Sequence, residues 1–326
     1  MKRIMLNNTD LSVSPLCMGT VHYGTAVNSE DAKEQLSRFI ELGGNFIDTA
    51  HIYGDWVRGL RGRSERVIGE WIKETRRRSD IIISTKGAHP DILLDPSIPR
   101  VNPEAIENDL DESLDFLNTD YIDLYFLHRD DPSVPVEEIL DTLEKARSEG
   151  KIRYYGCSNW TLPRIIEASN YAREQNIPGF VCNQLMWSLA DINSRGVTDK
   201  TLVIMDEEIY DYHKKTGMNA MAYTSAARGY FSKLKQGGQI AQDIQAAYDT
   251  ASNMQIFEEL VNTADELNAD IIQVEIAFLM NQEFPSIPLV SFSSIGQLEQ
   301  GMGSCQLELD EDTVNRLCNL KEYVIE

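Results

Sequence analysis

A chain of 326 residues, 42% of them hydrophobic, has apolar matter for a large core and the usual size of one α/β barrel. A formal net charge of -22 argues against nucleic acid and anionic membrane as partners, because phosphates are repelled at long range. No apolar run reaches the roughly 18 residues that span a bilayer, and Met1-Lys2-Arg3-Ile4 opens no secretory signal; with five cysteines and no CxxC pair, the expectation is a cytoplasmic protein with free thiols.

The opening predicts a hairpin: Arg3 to Leu6, a turn at Asn7-Asn8-Thr9-Asp10, then Leu11 to Val13. A short strand, Pro15 to Met18, precedes a helix from Ser29 to Leu42 with Ala32, Leu36, Phe39 and Ile40 on one face. Gly43-Gly44 ends it and Asn45 to Asp48 is the next strand. Helix Ser64 to Arg76 and strand Ile81 to Thr85 follow. Asn102-Pro103 starts a helix, as an N-cap with proline in the first turn. Tyr121 to Leu127 is a strand, Val136 to Glu149 a helix closed by Gly150, and Ile152 to Cys157 a strand. Thr161 to Glu174 (helix), Val181 to Asn183 (strand), Leu202 to Thr216 (helix) and Asn219 to Tyr223 (strand) continue the alternation. Helices at Asn253 to Leu267 and Ile271 to Asn281 precede the strand Ser286 to Val290. Two long irregular stretches, Asp55 to Arg63 and Ser232 to about Ser252, follow strands.

This alternation predicts a (β/α)8 TIM barrel with an N-terminal β-hairpin and an extra C-terminal helix, as one domain over residues 1–326. Parallel barrel strands are buried on both faces and have no reason of their own to end in a charge. Three here do. NFIDTAHIYG closes on Asp48 with Tyr53 just beyond, DIIISTK on Lys86, and YIDLYFLH on His128. In a barrel the C-terminal strand ends share one face, so an acid, a phenol, an amine and an imidazole converge there. A phenol titrates near 10 unless a neighbouring ammonium eases its ionisation, and an aspartate keeps that ammonium charged. The group is a proton-transfer site. Other strand ends carry amides and hydroxyls: Ser158-Asn159, Asn183-Gln184 and Tyr223-Thr224-Ser225.

The chain strongly resembles the aldo-keto reductase superfamily along essentially its whole length. The carrying segments are NFIDTAHIYG, IISTKG, DYIDLYFLHR, EGKIRYYGCSNW, CNQ and AYTSAARGYF, the last closest to longer-loop bacterial members. The resemblance implies a catalytic tetrad of Asp48, Tyr53, Lys86 and His128. It also implies that Ser158, Asn159 and Gln184 hold a nicotinamide carboxamide, that Tyr223 stacks on the ring, and that Thr224, Ser225 and Arg228 line the pyrophosphate path. The implied activity is reversible reduction of an aldehyde, ketone or sugar carbonyl.

After the last strand the family usually carries an Arg or Lys for the adenosine 2′-phosphate and a Glu-Asn pair for the adenine. Here no basic residue lies between Ser286 and Ser304, and the donors on offer are Ser291, Ser293 and Gln297. Hydroxyls and helix N-terminal amides can hold phosphate, so NADP(H) is favoured on the resemblance, with NAD(H) the alternative. Trp160 and Trp187 are expected to line or back the pocket; the loop carrying Arg58, Arg61 and Arg63 could cap it and favour an anionic or hydroxylated substrate, but three such arginines are more often a solvated loop. The reading from a different class is a non-catalytic cofactor-sensing or regulatory subunit on the same fold. A two-carboxylate glycosidase has no acid pair favoured by placement, and five histidines without HxH or HExxH spacing give a metal hydrolase no ligands; His51 reads as packing.

Overall fold

The computed structural model describes residues 1–325. Strand β1 (Ile4–Met5) pairs antiparallel with β2 (Ser12–Val13), Ile4 opposite Val13. Then come β3 (Cys17–Gly19), β4 (Phe46–Asp48), β5 (Ile82–Gly87), β6 (Ile122–Leu127), β7 (Ile152–Ser158) and β8 (Cys182–Met186). A two-residue β9 (Ile192–Asn193) lies outside this series, and β10 (Asn219–Tyr223) and β11 (Ser286–Ser291) complete it. All pairings in the series are parallel, and β11 returns to β3, so eight strands close a barrel in the order β10-β11-β3-β4-β5-β6-β7-β8. The expected TIM barrel and its N-terminal hairpin are both present.

Helices α1 (Ser29–Glu41), α2 (Arg63–Thr75), α3 (Pro103–Leu117), α4 (Val136–Ser148), α5 (Leu162–Gln175) and α6 (Glu207–Thr216) each follow a barrel strand. Their starts obey cap chemistry. Asn28 accepts the Asp31 amide and Asn102 the Ala105 amide, each at 3.0 Å, satisfying first-turn donors that have no helical partner. Between β10 and β11 lie α7 (Tyr230–Lys235), α8 (Gln242–Tyr248), α9 (Ala251–Glu266) and α10 (Ile271–Met280); α11 (Ile295–Gly303) and α12 (Glu311–Cys318) follow. The last strand, β12 (Val324–Ile325), pairs with β9.

Two expectations need correction. The helix read from Leu202 begins only at Glu207, because Asp206 caps it by accepting the Ile209 amide at 2.8 Å. Residues ahead of it serve the site instead: Val203 donates its amide to Asn159, and Ile204 bridges Met186. The stretch from Ser232 to Ser252 is not irregular throughout, since α7 and α8 occupy much of it. Gly237, at φ 62°, ends the first of them.

The hairpin plugs the lower mouth of the barrel. Leu6, Leu11 and Val13 pack with Cys17, Phe46, Leu124, Phe126, Met221 and Ile287, which leaves the opposite, C-terminal mouth as the open one. Among the described residues no helix is long and apolar enough to cross a membrane, and no three His, Cys, Asp or Glu side chains gather as a metal site.

Candidate active site

Asp48 is the last residue of β4 and stands in register with Ser84 of β5. Side chains alternate along a strand, so Lys86, two residues on, shares the face of Ser84. This register brings the acid and the amine together. Lys86 Nζ donates to Asp48 Oδ2 at 2.5 Å, to the Thr49 carbonyl at 2.7 Å and to the Tyr53 hydroxyl at 3.2 Å, which uses all three of its hydrogens. The other carboxylate oxygen of Asp48 accepts from Ser84 Oγ at 2.7 Å and from Gln184 Nε2 at 3.0 Å. Tyr53 reaches the cluster from the turn after β4, where Gly54 at φ 97° reverses the chain.

Electrostatics in the cluster oppose one another. Burial pulls the Lys86 ammonium down, but Asp48 and Tyr53 outweigh it and the net shift is upward, so the amine is held charged. Burial drives the Tyr53 phenol up while Lys86 draws it down, with burial prevailing. The phenol is therefore protonated at neutral pH and sits on a fixed cation. His128, immediately after β6, is pushed well below the usual imidazole range by burial, then by His89, Arg129 and Lys86. It is neutral, its ring 5.8 Å from that of Tyr53 and 4.7 Å from that of His89. Nδ1 of His128 has no hydrogen-bond partner among the described residues.

These groups form one end of a cavity of about 920 Å³. Asp48, Tyr53 and His128 line it, as do Ser158, Asn159, Gln184, Tyr223, Thr224, Ser225, Arg228, Ser291, Ser293 and Gln297. Lys86 stands behind Tyr53 and Asp48. Asn159 is the hub of the amide wall: its Oδ1 accepts from the Tyr223 hydroxyl (2.6 Å) and the Val203 amide (3.1 Å), and its Nδ2 donates to Ser158 Oγ (3.0 Å). Ser225 Oγ bonds the carbonyls of Ala222 and Leu289, tying the ends of β10 and β11.

Ala227, Arg228 and Gly229, at φ 44°, 56° and 77°, turn the β10–α7 loop tightly, with the Ala227 amide bonded to the Thr224 carbonyl at 2.8 Å and the Gly229 amide to the Ala226 carbonyl at 2.6 Å. Arg228 lines the cavity and pairs with Asp243 of α8 at 2.7 Å. Across the cavity, Ser294 caps α11 by accepting the Gln297 amide, while Gln297 Oε1 accepts the Ser293 amide at 2.9 Å. Amide side chains gather beside Asp48 and Tyr53, and Arg228 lies on the same cavity wall.

Around the cavity the remaining expectations are met in part. Trp160 and Trp187 are buried behind the wall and do not line the cavity; Trp160 backs it by donating to the Arg129 carbonyl at 3.0 Å, and Trp187 stacks on Phe284. Arg58, Arg61 and Arg63 do not line the cavity either. Arg61 is drawn to Asp55 and Asp91, and Arg63 donates to the Arg58 carbonyl. His51 is packing, 2.7 Å from Glu112 and stacked on Phe116. The sequence reading overlooked Thr20, His22, Arg129, Leu202 and Gln300, which also line the cavity. Arg129 had a signal, since it directly follows the strand-end histidine.

A model of the aldo/keto reductase family matches residues 15–322. The chain is 25% identical to norsolorinic acid reductase stcV of Emericella nidulans over 96% of its own length and 79% of that protein. It is 25% identical to the uncharacterized oxidoreductase YrpG of Bacillus subtilis, over 97% of its length and 95% of that protein. A probable aldo-keto reductase 1 of Glycine max is 25% identical over 96% of the chain and 87% of that protein.

Proposed function

Because the chain belongs to the aldo/keto reductase family, an oxidoreductase family that acts on small-molecule carbonyls with a nicotinamide cofactor, we propose that it reversibly reduces an aldehyde, ketone or sugar carbonyl, with Tyr53 as the proton donor. The observation that carries this reading is the chain Asp48–Lys86–Tyr53 ending at the cavity. A reduced nicotinamide bound there supplies the hydride that the carbonyl carbon accepts. The carbonyl oxygen, gaining negative charge, takes the hydroxyl proton of Tyr53 as the alcohol forms. Lys86 lowers the cost of the phenolate left behind, and Asp48 keeps Lys86 charged and aimed. Neutral His128 has one ring proton. We assign it to Nε2, since on the buried, partnerless Nδ1 it would be an unsatisfied donor. There it orients the carbonyl oxygen.

Ser158, Asn159 and Gln184 would hold the carboxamide, with Tyr223 against the ring and Thr224, Ser225 and Arg228 along the pyrophosphate. Ser291, Ser293 and Gln297 would meet the adenosine end, so NADP(H) is preferred only shallowly over NAD(H). The five cysteines are all unpaired, which supports a reducing, cytoplasmic setting. Tyr53→Phe should leave cofactor binding, read by fluorescence titration, nearly intact while reduction of an aldehyde panel falls on the order of 100- to 10,000-fold. Activity within a few-fold of wild type would overturn the assignment.

A further inference from the structure

The cavity wall next to Tyr53 and His128 includes a guanidinium that the proton-transfer chemistry does not use. Arg129 follows β6 directly, its carbonyl fixed by Trp160 and its side chain only 12% exposed. Three contacts lock that side chain: Nε donates to Thr201 Oγ1 at 2.9 Å, Nη1 to the His128 carbonyl at 2.9 Å, and Nη2 to Asp199 Oδ2 at 3.1 Å. A guanidinium has five N–H donors. Two therefore remain, one on each terminal nitrogen, and both can be taken by an anionic oxygen acceptor such as a carboxylate.

The charge of Arg129 is also felt where the reaction is placed, at Tyr53, Tyr223, His128 and His89. Its counter-charge is exposed and shared with other donors. Asp199 is 45% exposed, and its other oxygen accepts from the Thr201 amide and hydroxyl at 2.9 and 2.6 Å. The other cations near the reacting end are not available to a ligand there: Lys86 has committed every hydrogen, and Arg61 does not line the cavity.

We propose that Arg129 is a specificity-determining residue that selects carbonyl substrates bearing a carboxylate, gripping that group with its two free N–H donors while the carbonyl lies against Tyr53 and His128. The inference rests on the reductase reading above and narrows its substrate class. A neutral analogue leaves two donors of a largely buried cation unpaired. Discrimination therefore comes as much from that unmet hydrogen-bonding capacity as from the attraction between guanidinium and carboxylate.

The test compares 4-carboxybenzaldehyde with 4-methylbenzaldehyde, using NADPH and NADH, and reads the ratio of their kcat/KM values. Arg129→Met should lower that ratio at least about tenfold, mainly through KM for the carboxylate. Asp199→Asn should move it the other way, raising it several-fold, because it unmasks the same cation. Arg129→Lys, which keeps the charge and loses the fork, should fall between wild type and Arg129→Met. If Arg129 only anchors the 199–201 segment, Arg129→Met and Asp199→Asn will change both aldehydes alike and the ratio will stay put, which overturns the proposal. Calorimetric binding of 4-(hydroxymethyl)benzoate and 4-methylbenzyl alcohol to the NADP-loaded protein gives the same comparison without turnover. An Arg129-dependent preference for the benzoate in a protein that reduces nothing keeps this inference and removes the reductase reading. Turnover with an unchanged ratio does the reverse.

Discussion

Lys86 is a fully buried ammonium that stays charged because three acceptors meet its three hydrogens. Glu275 shows what burial does without such partners. It sits on α10 with no exposed surface, and neither carboxyl oxygen has a hydrogen-bond partner among the described residues. Burial alone raises its pKa well above the ordinary glutamate value, so the folded protein keeps it protonated. The unfolded chain releases that proton near pH 4.3 or so. Above this point the folded state binds more protons than the unfolded one, and stability declines with rising pH until the folded pKa is passed. Glu275→Gln removes this one contribution. Relative to wild type, its unfolding equilibrium constant should fall as pH rises above about 4.3, by up to about tenfold per pH unit. Urea unfolding of both proteins from pH 4 to 8 measures it, and parallel pH profiles would mean that Glu275 finds a partner in solution.

At the scale of elements, most of the gathered side chains stand where a strand ends or a helix begins, and the β11–α11 side of the cavity shows what this costs in recognition. The segment from Ser286 to Ser304 contributes hydroxyls, the amides of Gln297 and Gln300 and the first turn of α11, but no cation. Arg228 and Lys233, which reach the cavity from the β10–α7 side, are engaged by Asp243 and by the Arg228 carbonyl. A 2′-phosphate therefore gains little over a hydroxyl there, and affinities for NADPH and NADH should lie within about tenfold of each other, a gap of roughly 1.4 kcal/mol. Ser293 is exposed and on the cavity wall, so Ser293→Arg adds a fork without displacing core. It should tighten NADPH and leave NADH nearly unchanged in side-by-side fluorescence titrations. A wild-type preference of a thousandfold would show that Arg228 or Lys233 turns to the phosphate. The C-terminal segment is set by another element-end contact: Asp191 accepts from Lys321 Nζ and from the amides of Glu322 and Tyr323, which presents β12 to β9.

For the whole molecule, a net charge of -22 surrounds a cavity whose proposed ligand is itself polyanionic. Far from the protein such a ligand meets repulsion, and only within the cavity does it meet Arg228. Salt shortens the reach of the first effect from about 30 Å at 0.01 M to about 8 Å at 0.15 M, while enclosed contacts are screened much less. The association rate constant for NADPH, measured by stopped-flow fluorescence, should thus rise with ionic strength over that range. A rate that falls with added salt would mean that the cavity's local positive field governs the approach.

The barrel and the gathering of Asp48, Tyr53, Lys86 and His128 were legible in the chain itself, because buried parallel strands that end at or beside Asp48, Lys86 and His128 break a strong rule and a barrel gathers such ends on one face. So were the caps at Asn28 and Asn102, whose chemistry is local. What lay beyond sequence reasoning depends on contacts between distant segments. Nothing local states that Val203 will serve Asn159 instead of extending a helix, that Asp55 and Asp91 will draw Arg61 off the site, or that Thr201 and Asp199 will lock Arg129 onto the cavity wall. Periodicity and capping act within a few residues and can be read along the chain. Which polar groups use up one another's hydrogen bonds, and which keep donors free for a ligand, is decided only when the closed barrel brings its loops together.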